Sequence, residues 1–369
     1  MFRRYRLCDY DFKLILMILA LSGIGVMTIG SAEPSLQMRQ MAGVAVGTVI
    51  MVAISLINYN SILNFYWFIY LGNAILLALV LTDIGKKSGG AQRWVEIGGL
   101  SFQPSELAKI LLILFFAQYI MKKGDKFNTF KNIASCIVLI LLPWVLIYKQ
   151  PDLSTSIMII IIFCIIMFAG GVSRRLILAV IMVTVPTIVI LVSIAMQPDS
   201  TLLKDYQKNR ILAFRYPEEY ADDEAYQQLN SRMAIASGML DGKGYKNNEI
   251  TSVKNGNFIS EAETDFIFAV IGEEFGFKGS LAVIILITGI SLECISISRR
   301  SKDRAGTVIA AAMGGLVAFQ GFINIGVAIF ILPNTGLPLP FVSYGLTSLM
   351  SLYIGMGFVL NVRLQAKRS

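Results

Sequence analysis

A chain of 369 residues with 55% hydrophobic and only 15% charged positions, and a mean hydropathy of +0.67, lacks the polar surface of a soluble domain, where about 25% of residues are charged. The formal net charge is +8 and there is no histidine, which excludes imidazole acid–base chemistry, Ser–His–Asp triads and His-ligated metals. Catalysis by this chain has to rest on Asp, Glu, Lys, Arg, Tyr or Ser.

Apolar blocks long enough to cross ~30 Å of hydrocarbon as helices fall near 14–31, 40–57, 64–82, 105–121, 133–148, 153–171, 176–196, 280–297, 306–331 and 341–361. They predict an all-α polytopic membrane protein of about ten transmembrane helices, read as one membrane domain over 1–369. The basic start Met1-Phe-Arg-Arg-Tyr-Arg runs into the first span without a cleavage site, so that span is expected to be retained. One side of the membrane collects Arg3, Arg4, Arg6 and Lys13, then Lys122, Lys123, Lys126 and Lys131. It also collects Arg174, Arg175, Arg299, Arg300, Lys302, Arg304, Arg363, Lys367 and Arg368. The positive-inside rule puts that side, with both termini, in the cytoplasm. Cys8, Cys136, Cys164 and Cys294 show no paired or metal-like spacing and read as small buried hydrophobes.

Two long connections then face outward. The first is 83–104. The second, 197–264, is a large extracytoplasmic loop between spans seven and eight, polar and mixed in charge. Within it, apolar residues at helical spacing over 226–236 predict an amphipathic helix, part of a cap lying on the membrane. The segment from Thr264 to Ser298 would run to about 50 Å as one helix, longer than the bilayer core. Gly276, Lys278 and Gly279 offer a break, predicting an outer half-helix Asp265–Glu274, a turn, and a span from Ser280.

Ionisable groups at membrane depth are costly and mark function by default. Glu106 and Lys109 follow Pro104 at i, i+3 on one helical face; the plain alternative is an acid favoured near a helix N-terminus beside a counter-charge. Asp152 precedes the sixth span, where it can serve chemistry or simply N-cap the helix. Asp265 lies where the acidic cluster Glu261-Ala-Glu-Thr-Asp meets an aromatic run; it reads as a general base or as a solvated cap. Glu273 and Glu274 at the break are read as solvated. Arg39, Arg93, Arg210, Arg215 and Arg232 face outward; arginine forks bind diphosphate, and the same residues also serve as ordinary surface charge. Trp94 is read as an interface anchor. The run 332–345 breaks helix with three prolines. Irregular backbone at membrane depth survives only where it is buried or lines a cavity, which predicts a substrate-lining loop. No nucleotide, haem or nucleic-acid motif is present, so neither an organic cofactor nor a nucleic-acid partner is expected. From the residues alone, the chain is a transporter or a lipid-handling enzyme with an outward acidic–basic pocket.

Seven strings carry a resemblance: Gly90-Ala-Gln-Arg-Trp, Gln103-Pro-Ser-Glu-Leu-Ala-Lys109, Gln150-Pro-Asp-Leu, Tyr206-Gln-x-x-Arg210, Thr264-Asp-Phe-Ile-Phe-Ala-Val-Ile-Gly-Glu-Glu, Asn324-Ile-Gly, and Thr335-Gly-Leu-Pro-Leu-Pro-Phe-Val-Ser-Tyr-Gly345. In that order, over nearly the whole chain, they resemble the SEDS family (shape, elongation, division and sporulation proteins; RodA, FtsW and SpoVE), with Phe214-Arg-Tyr-Pro-Glu-Glu leaning to the RodA-like branch. Departures are Leu346 and Ser154 where the family carries glycine, and Val327 where it carries methionine. The resemblance implies a peptidoglycan glycosyltransferase acting on lipid II and nascent glycan, with inversion at MurNAc C1 and release of undecaprenyl diphosphate. It implies Asp265 as base or metal-assisted carboxylate, with Glu106, Lys109 and Asp152 supporting. Arg93 and Arg210 would bind diphosphate, with Arg39 and Ser343 as further substrate contacts. A divalent cation (Mg or Mn) is an expected aid, a class B penicillin-binding protein the expected partner, and the bacterial inner membrane with its lipids the setting. A flippase moving lipid-linked precursors without chemistry, or a scaffold for a transpeptidase, would use the same cavity.

Overall fold

The computed structural model describes residues 10–88, 91–97, 100–173, 175, 182, 205–220, 225–246, 259 and 261–366. In chain order these form α1 (Phe12–Ala32), α2 (Pro34–Leu56), a short α3 (Tyr59–Leu63), α4 (Tyr66–Val80), strands β1 (Gly85–Ser88), β2 (Ala91–Ile97) and β3 (Leu100–Phe102), then α5 (Pro104–Lys123), α6 (Phe130–Lys149) and α7 (Leu153–Ala169). Next come α8 (Asp205–Arg215), α9 (Tyr226–Ser237), α10 (Ile267–Arg299), α11 (Arg304–Ala328) and α12 (Leu346–Leu364). Seven helices (α1, α2, α5, α6, α10, α11 and α12) are long and apolar enough to cross a membrane, and α4 and α7 are shorter apolar helices. They correspond to nine of the predicted spans; the one near 176–196 lies outside the described residues, as does much of the loop 197–264.

Local chemistry sets the helix ends. Asp11 caps α1 by accepting the Leu14 N–H at 3.0 Å, and Pro34 opens α2 at a position where its missing N–H costs nothing. Asp303 caps α11 through the Gly306 N–H at 2.8 Å. The last two spans are shorter than predicted at the outer side, because 329–345 leaves the helix altogether.

The helical membrane architecture carries one small addition in its first outer connection. The first outer connection folds into a three-stranded antiparallel sheet in the order β1-β2-β3, with Lys86 opposite Trp94 and Val95 opposite Phe102. β1 is short and polar, whereas β2 carries Trp94, Val95 and Ile97 and β3 carries Leu100 and Phe102.

α5 is the central post, buried along nearly its whole length against α4, α7, α11 and α12. α2 and α12 pack closely through small residues, as membrane helices do: a Cβ at Gly47 would come within 2.5 Å of the Tyr353 ring, and one at Gly43 within 2.7 Å of Leu346. The leucine that replaces the family's glycine is therefore accommodated by a glycine on the facing helix. Of the three described cysteines, Cys136 and Cys294 are buried, as expected, and Cys164 on α7 is only half-buried.

α10 breaks at Gly276 (φ 61°, ψ −157°), the predicted position, in a region that favours glycine. The backbone groups freed by the break are taken up by the segment after α9. Phe277 N–H donates to Met239 O (2.9 Å) and Lys278 N–H to Leu240 O (3.3 Å), while Lys243 and Gly244 N–H donate to Glu273 O (2.9 Å) and Glu274 O (3.0 Å). Glu273 and Glu274, expected in solvent, are buried instead: Glu273 pairs with Lys243 at 2.9 Å and Glu274 accepts from Ser31. The amphipathic stretch is α9 as predicted, seated on α10 and α11 by Gln228 and Ser231, which donate to Val327 O (3.0 Å) and Ala328 O (2.8 Å).

Candidate active site

Asp265 belongs to the turn 261–266 that leads into α10. Its carboxylate lies against the proline-rich loop: a Cβ added to Gly336 (φ 69°) would sit 3.2 Å from Asp265 Oδ2. Turn and loop are sewn together. Ser343 Oγ donates to Thr264 O at 2.6 Å and accepts the Leu339 N–H at 2.7 Å, and the Tyr344 N–H donates to Glu263 O at 2.9 Å. Ser343, which the resemblance implies as a substrate contact, sits in this seam. It is buried, and its hydroxyl holds the loop to the Asp265 turn.

Glu106 and Lys109 form a buried pair, Nζ to Oε1 2.8 Å, with both side chains under 5% exposed. Lys109 Nζ also donates to Gln320 Oε1 at 3.0 Å, and Gln320 Nε2 donates to Pro338 O at 2.9 Å. One turn further along α11, Asn324 Nδ2 donates to Leu337 O at 2.7 Å and to Asp265 O at 2.8 Å. Two amides four residues apart share a helical face, and here that face fixes two successive loop carbonyls and the Asp265 turn. The structure therefore brings Glu106, Lys109 and Asp265 into one connected assembly.

Asp152 behaves as the N-cap of α7: Oδ1 accepts the Thr155 N–H at 3.1 Å and Oδ2 the Thr155 hydroxyl at 2.9 Å, with Gln103 Nε2 at 3.4 Å. Arg93 on β2 donates to Pro151 O, which anchors the sheet beside that cap. Ser154, another departure from the family pattern, donates to Thr335 O and ties α7 to the loop. Arg39 is exposed on α2, next to Gln40, whose amide reaches Ser343 O at 3.4 Å. Arg210 lies on α8, where only the helix backbone is described. Arg232 stands over the Phe330 ring at 5.4 Å.

Gln320 and Gln40 were not among the motif residues. Their signal is compositional: an amide inside an apolar span has to find a partner there, and Gln320 with Asn324 stands out in Val317–Val327. Among the described residues no three carboxylate or thiol groups converge to hold a metal ion.

Residues 8–368 match the FTSW_RODA_SPOVE family, described as cell cycle proteins. The peptidoglycan glycosyltransferase MrdB of Escherichia coli is 33% identical over 360 residues, 97% of this chain and 94% of MrdB. The probable peptidoglycan glycosyltransferase FtsW of Bacillus subtilis is 31% identical over 380 residues, 98% of this chain and 92% of FtsW. Among solved structures, a chain of a peptidoglycan synthase complex, described for its coordination of polymerization and crosslinking, superposes with a TM-score of 0.79 at 27% identity, covering 96% of this chain and 97% of that one. The rod shape determining protein RodA of Thermus thermophilus shares the fold, with a TM-score of 0.72 at 24% identity over 98% of each chain.

Proposed function

Because the chain belongs to the FTSW_RODA_SPOVE family of cell cycle proteins, we propose that it is a peptidoglycan glycosyltransferase of the bacterial inner membrane that polymerises lipid II into glycan strands. The observation that carries this reading is Asp265 set against the proline-rich loop and joined through Asn324 and Gln320 to the buried Glu106–Lys109 pair. A base fixed in place this way is what an inverting displacement needs on the nucleophile's face. Asp265 takes the proton of the GlcNAc 4-hydroxyl as that oxygen attacks MurNAc C1 of the growing chain. The C1–O bond to phosphate breaks, and undecaprenyl diphosphate leaves with the electron pair.

The leaving group needs no proton when cations stabilise it, a task for the outward arginines Arg39, Arg93 and Arg210. A divalent cation would enter on the substrate's diphosphate, with Asp265 as one available protein ligand. Crosslinking would come from a class B penicillin-binding protein bound alongside.

The test is polymerisation of purified lipid II by the purified protein and by Asp265→Asn, which keeps shape and removes the base. The variant should insert and melt like wild type and lose at least ~100-fold in rate. A flippase requires no base, so wild-type glycan formation by well-folded Asp265→Asn would overturn the assignment.

A further inference from the structure

A second site lies at the opposite end of the bundle, on the lysine-rich side that the positive-inside rule makes cytoplasmic. Between α4, α5 and α6 an open groove of about 640 Å³ is lined by Trp67, Tyr119, Phe130, Lys131, Val138 and Leu139, among others. Val138 and Leu139 give it an apolar wall, and the Tyr70 hydroxyl donates to Leu139 O at 2.7 Å, tying α4 to α6 beneath it.

Its mouth is basic. Lys131 lines it directly. Lys123 Nζ stands 5.2 Å from the centre of the Tyr119 ring, and Lys122 Nζ 4.4 Å from that of Tyr66, whose ring is 5.5 Å from Trp67. Residues 122–131 hold four lysines against one aspartate. α6 also begins here, so the positive end of its dipole faces the same mouth. Phe130, 88% exposed, and Trp67, 48% exposed, supply aromatic rings of the kind enriched at membrane–water interfaces.

We propose that this groove binds an anionic phospholipid of the cytoplasmic leaflet, its phosphate among Lys122, Lys123 and Lys131 and an acyl chain along Val138 and Leu139. A zwitterionic lipid offers the same chains, but its own cation offsets the phosphate, so the three ammonium groups discriminate between the two. Free phosphate would meet the lysines and leave the apolar wall bare. The assignment does not depend on the glycosyl-transfer reading.

The chain has three tryptophans, so Trp94→Phe with Trp144→Phe leaves Trp67 as the reporter in the groove. Reconstituted in nanodiscs, it is compared in phosphatidylglycerol and in phosphatidylcholine, each brominated on its acyl chains. Quenching of Trp67 should need on the order of 100-fold less phosphatidylglycerol, the scale on which three interfacial lysines act together. Lys122→Gln with Lys123→Gln and Lys131→Gln should erase that preference and leave phosphatidylcholine quenching unchanged. Inorganic phosphate, at ionic strength matched with chloride, should leave the quenching intact. Equal quenching by the two lipids, or a preference that survives the lysine substitutions, overturns the proposal; the two-lipid comparison needs no change at the lysines. Displacement by phosphate would make this a free-anion site and overturn the lipid assignment.

Discussion

Lys109 Nζ reaches Gln320 Oε1 across 3.0 Å, so the ammonium that pairs with Glu106 also holds α11 to α5 beneath the Asp265 loop. Gln320 commits its other end to Pro338 O. The pair therefore has a third member whose polarity is fixed.

That polarity decides a charge swap. Lys109→Met alone should cost about 3–5 kcal/mol, because it leaves a buried carboxylate without its counter-charge. Glu106→Lys combined with Lys109→Glu restores opposite charges, but the new carboxylate faces the Gln320 oxygen. The double variant should recover more activity than either single change and still fall short of wild type, read by thermal unfolding and lipid II polymerisation together. Full recovery would show that the Gln320 contact is dispensable. Strictly additive losses would show that each residue touches substrate separately.

Asn324→Ala removes the donor to both Asp265 O and Leu337 O. Leaving those carbonyls unmatched should cost about 1–3 kcal/mol. The larger effect is on placement: kcat should fall ~10- to 100-fold with KM little changed, since small displacements of a catalytic group are amplified in rate. Steady-state kinetics at several lipid II concentrations separate the two. A change confined to KM would remove Asn324 from the positioning of Asp265.

Gly276→Ala meets two obstacles at once. Its φ of 61° is strained for any side chain, and the new Cβ would lie 2.4 Å from Gly242 N. We expect a loss of about 2–3 kcal/mol and faster proteolytic cutting between Gly238 and Gly244, measured by a melting curve and limited proteolysis. Unchanged melting and cutting would show that the break tolerates a side chain.

A class B penicillin-binding partner should raise the polymerisation rate even with its own catalytic serine removed, because binding beside the outer loop would favour the active arrangement. The comparison is made at saturating partner. Equal rates with and without it would leave the partner a crosslinker only.

Much of this arrangement was legible in the sequence where a short-range rule governs it. The break at Gly276 follows from helix length against bilayer thickness, the cap role of Asp152 from its place before an apolar run, and the helix at 226–237 from periodicity. The burial of Glu273 and Glu274 was not legible, because it depends on Lys243 and Ser31, far away in the chain. The sheet at 85–102 does not show as alternation, since β1 and β3 have only four and three residues and β2 sets Trp94 and Val95 side by side. The anchoring of Arg93 on Pro151 likewise follows from the sheet's placement beside α7, which no local pattern encodes. Gln320 carries no charge and breaks no helix, yet a neutral amide in a membrane span has the same demand for a partner, met here by Lys109 and Pro338.

The four backbone hydrogen bonds around Gly276 have a mechanical consequence. Pulling the 239–244 segment away would strip amide and carbonyl groups of their partners at the edge of the hydrocarbon, at several kcal/mol apiece. A displacement of the 239–244 segment would therefore reach the Gly276 break directly through these four hydrogen bonds.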